Sequence, residues 1–72
     1  MSRKEREQMA KERIRAELER ALARKKELID ELRELEKTSP TSFSAIWRTR
    51  DRVAYWEGRA EGLQFALDEL GG

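Results

Sequence analysis

The sequence predicts an all-α fold, an antiparallel helical hairpin of two long helices, on the strength of three features. Residues 1–37 contain no Gly or Pro and are rich in Glu, Arg, Lys, Leu and Ala, all strong helix formers. Turn chemistry is concentrated at one internal place, Thr38-Ser39-Pro40-Thr41-Ser42. A second helical run follows and stops at Gly71-Gly72. Two helices joined by so short a turn become antiparallel neighbours. The expectation is one helical-hairpin domain over residues 1–72, with helix 1 at about 3–37, the turn at about 38–42 and helix 2 at about 43–70.

The first helix carries a heptad stripe. Ile14, Ala21, Leu28 and Leu35 recur at one core position, and Leu18, Lys25 and Leu32 at the other. Leu22 and Ile29 widen the stripe, which suits a helical bundle better than a strict two-stranded coiled coil. The stripe fades before Ile14, where only Met9 and Ala10 extend it. The first eight residues are polar all round and are expected to fray or project as a basic arm. Residues 1–15 hold six basic side chains against three acidic ones, although the net charge of the chain is only +1. Outer charges are spaced for local pairing, Glu7 with Lys11, Arg13 with Glu17, Arg15 with Glu19 and Lys26 with Asp30, each worth about 0.2–0.5 kcal/mol. Lys25 is a cation at a core position. It either snorkels past its neighbours or sets the register of packing.

In the turn, Ser39 followed by Pro40 reads as an N-cap and first helical residue, with Ser42 or Ser44 as the alternative cap. The second helix has two apolar faces. Ile46, Val53, Ala60 and Leu67 fall on one line, joined by Trp56, Leu63 and Leu70, and should close on the first helix. Leu32 is then expected near Ile46, Lys25 near Val53 and Leu18 near Ala60. Phe43, Trp47, Ala54, Gly58 and Phe65 form a second face, flanked by Tyr55 and Gly62. Arg50, Glu57, Glu61, Gln64 and Asp68 separate the faces on one side, and Arg48, Arg52 and Arg59 on the other.

Gly58 and Gly62 each cost about 1 kcal/mol relative to Ala inside a helix. They belong to a row of small residues four apart, Ala54, Gly58, Gly62 and Ala66, which would let another backbone approach closely. The competing reading makes them a kink or an early helix end. A phosphate-cradling loop does not fit, since no strand precedes them and the P-loop lysine and hydroxyl are missing.

The chain has neither His nor Cys, so catalysis by either, a thiolate metal site and disulfides are excluded. Carboxylate pairs such as Glu57 with Glu61 recur at ordinary helical spacing. No enzyme activity, cofactor or metal is expected. No apolar run approaches a membrane span or a signal peptide, so the expected location is cytoplasmic, with no membrane partner. A core from only 72 residues rarely supplies more than about 3–5 kcal/mol, which leaves helix packing and oligomerisation as the available supports.

The expected function is that of a small protein–protein interaction module, an assembly element or adaptor. Helix 2 would mediate self-association, most simply into a homodimeric four-helix bundle. Its interface is expected at Phe43, Trp47, Ala54, Tyr55, Gly58, Gly62, Phe65 and Ala66. One alternative is an inhibitor or regulator docking on a different protein, of the kind phages and mobile elements encode. Another is a nucleic-acid-associated regulator that uses the basic arm, with candidate phosphate contacts at Arg24, Lys26, Arg48 and Arg52. Against that last reading, Glu27, Asp30, Glu31 and Asp51 are interspersed, and a dedicated binder is usually more basic.

Overall fold

A computed structural model describes residues 2–71; Met1 of the expected arm and Gly72 of the expected terminator lie outside the described residues. Two helices make up the fold, α1 (Arg3–Thr38) and α2 (Phe43–Glu69). They pack side by side and antiparallel. Glu36 pairs with Arg50, Lys25 with Glu57 and Glu17 with Arg59, so the α2 number rises as the α1 number falls. The molecule measures 56 × 14 × 14 Å. At about 1.5 Å per residue, the 36 residues of α1 account for its whole length. The 27 residues of α2 are fewer, so α1 overhangs at its N-terminal end.

That overhang is helical, so of the two expectations for these residues, fraying or projecting as an arm, the structure shows the projecting one. Its first turn is capped, with Ser2 Oγ accepting from the Glu5 N–H at 3.2 Å and the Arg6 N–H donating to the Ser2 carbonyl at 3.1 Å. Side chains 2–9 are exposed, so these residues project as a charged rod without a neighbour.

The start of α2 also differs from the expectation. Ser39 does not begin α2 but ends α1, its N–H donating to the Leu35 carbonyl at 2.8 Å. The Ser42 N–H then donates to the Ser39 carbonyl at 3.0 Å, closing a four-residue turn with Pro40 in its second position. The fixed φ of Pro40 serves that turn rather than a first helical turn. Ser42 is the N-cap residue, without a side-chain cap hydrogen bond. At the other end Gly71 adopts φ 76°, the left-handed conformation that glycine supplies at helix ends.

Packing follows the two stripes. Ala21 and Leu28 of α1 and Ile46, Ala60 and Leu67 of α2 are buried, and Leu28 is 0% exposed. Val53, Trp56 and Leu63 are half-buried beside them. Leu18, Lys25 and Ala60 line one hollow between the helices, in keeping with the expected register. Leu22 and Met9, read as widening and extending the stripe, are exposed instead. With a single neighbouring helix, a stripe this wide cannot be covered to its edges.

Candidate functional site

The apolar residues of α2 divide between two opposite sides of the helix. Those just described close on α1. The others point away from it: Phe43 is 66% exposed, Trp47 61%, Tyr55 60% and Phe65 65%. Ala54, Gly58 and Gly62 are exposed among them. Of the expected interface only Ala66 departs, being half-buried. Rows of residues four apart run obliquely to a helix axis, so by Ala66 the row has drifted round toward α1.

Helix α2 runs uninterrupted through both glycines, which removes the kink and the early helix end. Neither glycine has positive φ. A Cβ built on Gly58 or Gly62 would meet nothing within 4 Å. Nothing inside the chain therefore requires a glycine at either position.

Charged residues frame this face. The guanidinium of Arg50 lies 5.6 Å from the Trp47 ring centroid, within cation–π range, and 3.4 Å from Glu36 Oε1. Phe43, Trp47, Pro40 and Ile46 join these two charged residues around a shallow hollow at the turn end of the hairpin. Tyr55 packs edge-on to Trp56, with ring centroids 5.2 Å apart. Glu61 forms no ion pair within 4 Å among the described residues.

The candidate phosphate contacts are spread out. Arg48 and Arg52 share a hollow with Glu31 and Leu35, and Arg48 Nε donates to the Ser44 carbonyl at 3.3 Å. Arg24 is engaged by Glu27 at 3.1 Å. Lys26 is exposed and, two residues on from Arg24, leaves α1 on a different side.

The local ion pairs also differ from the expected set. Arg3 pairs with Glu7 and Arg24 with Glu27, while Glu17 reaches across to Arg59. The four pairs expected from spacing do not form among the described residues. Exposed pairs contribute so little that spacing alone does not choose between partners.

Lys25 emerges between the helices and meets Glu57 Oε1 at 3.7 Å, its side chain 29% exposed, as snorkelling requires.

One buried residue has no counterpart among the sequence expectations. Thr49 is only 4% exposed, and its hydroxyl donates to the Ala45 carbonyl at 2.9 Å. The signal was present, because Thr49 lies one heptad before Trp56 and two before Leu63.

Among the described residues, no three His, Cys, Asp or Glu side chains are grouped to hold a metal ion, and no helix is long and apolar enough to cross a membrane. Compared with protein-family models, curated proteins and solved structures, the chain matches none of them.

Proposed function

We propose that this chain is a non-enzymatic protein–protein interaction module that self-associates through the outer face of α2, as an assembly element or adaptor. The observation that carries this reading is the set of four large aromatic side chains on the side of α2 turned away from α1, each at least 60% exposed. Apolar patches larger than a few hundred Å² are rare on small monomers and mark contact surfaces. The two glycines support it: they weaken the helix, serve no contact within the chain, and let a second backbone come near.

The layout also shapes the assembly. Because the outer face lies opposite the face that meets α1, a dimer joined there is a layer of four helices in the order α1, α2, α2, α1. A square four-helix bundle would need the two faces about a quarter-turn apart.

Light scattering coupled to size exclusion tests the reading, using the wild type, Trp47→Ala and Gly58→Leu at tens of micromolar. The wild type should elute as a dimer and both variants as helical monomers. A Cβ at position 58 meets nothing within its own chain, so the effect of a larger side chain there reports on the partner. Dimerisation unchanged in both variants would remove the outer face from the contact.

A further inference from the structure

Two pairs of outer-face residues on α2 are spaced symmetrically about the middle of the helix. Position 56 is the midpoint of Phe43–Glu69. Ala54 and Gly58 stand two residues to either side of it, and Trp47 and Phe65 nine residues to either side. Charge follows the same plan: Arg50 lies six residues before the midpoint and Glu61 five after it, both on one flank of the face.

Building on the self-association proposed above, we infer that two copies pair antiparallel along α2, with a two-fold axis at the level of position 56. Trp47 of each copy then packs against Phe65 of the other, Ala54 faces Gly58 at the closest approach, and Arg50 reaches Glu61 of the second copy. A two-fold contact makes each of these pairings twice.

Three physical points favour a second copy in this orientation. The first is charge. In a parallel pair the flank that carries Arg50 and Glu61 faces the opposite flank of the second copy, and the two residues stay about 17 Å apart along the axis, so this pairing is lost. The antiparallel pair joins opposite charges on the flank. The second is shape. Trp47 and Phe65 toward the ends and Ala54 and Gly58 between them fit the same surface turned end for end, with Tyr55 at the edge of the face, because each of the two end rings is offset from the small residues that let the backbones approach. The third is area. Four aromatic side chains this exposed present roughly 500 Å², a large share of the ~800 Å² per partner in a stable interface.

Arg50 would share its present partner, and Glu61 would give up none. Arg50 is half exposed at its pair with Glu36, and such pairs are weak enough to be shared. Glu61 has no ion pair to give up among the described residues.

Charge reversal provides the test, with dimer dissociation measured at low salt for the wild type, Glu61→Arg, Arg50→Glu and the double variant. Each single reversal should weaken the dimer on the order of tenfold, since two repulsive contacts replace two attractive ones. The double reversal should restore it. The chain has no cysteine, so oxidative cross-linking gives a second readout. Arg50→Cys and Glu61→Cys should link when mixed and not alone, because position 61 and its copy lie about 15 Å apart along the axis, beyond disulfide reach. A wild-type dimer whose stability ignores the single reversals, or whose Glu61→Cys form links to itself, overturns the antiparallel register and leaves self-association standing. A wild type that stays monomeric overturns self-association and the register with it.

Discussion

Gly58 and Gly62 occupy helical positions where a methyl group would touch nothing. Within one chain each therefore only weakens the helix, and Gly58→Ala or Gly62→Ala should stabilise the isolated hairpin by about 0.5–1 kcal/mol. Urea unfolding at concentrations too low for association measures this. At high concentration Gly58→Ala should act in the opposite direction, by holding the second backbone away. An alanine that stabilises equally at every concentration would mean that nothing packs closely there. Leu28 is the opposite case, a large side chain with no exposure. Leu28→Ala should cost about 2–5 kcal/mol, comparable to what so small a core supplies, and circular dichroism should show a largely unfolded chain. Leu22, half exposed six residues earlier, should tolerate the same change with far less loss.

At the level of the helices, Lys25 shows how a charge survives at a core position. Its stem lies between α1 and α2 while its amine reaches Glu57, so desolvation is small. Lys25→Leu should be neutral or stabilising by up to about 1 kcal/mol, measured by urea unfolding; a loss larger than that would show that the pair holds the helices in register. The periodic features were legible beforehand: both helices, their direction, the buried stripe from Ala21 to Leu28 and the outward aromatic face of α2 all follow from spacing. What was not legible depended on local choices. Ser39-Pro40 suits a helix start and a turn equally well, and the hydrogen bond from the Ser39 N–H to Leu35 decides for the turn. Thr49 reads as polar, yet bonding its hydroxyl to the Ala45 carbonyl lets it sit in the packed stripe. The exposed ion pairs are too weak for spacing to choose their partners.

For the whole molecule, the central feature is a rod 56 Å long with one helix apolar on two opposite sides. One side makes the hairpin, and the other is proposed to join two hairpins into a flat layer of four helices. Sedimentation equilibrium over a wide concentration range tests that claim most directly. The account predicts a reversible shift from the 8.5 kDa chain mass to twice that mass at micromolar concentration, abolished by Trp47→Ala while helicity is retained. A single ideal species of monomer mass across the whole range, still folded, would contradict it.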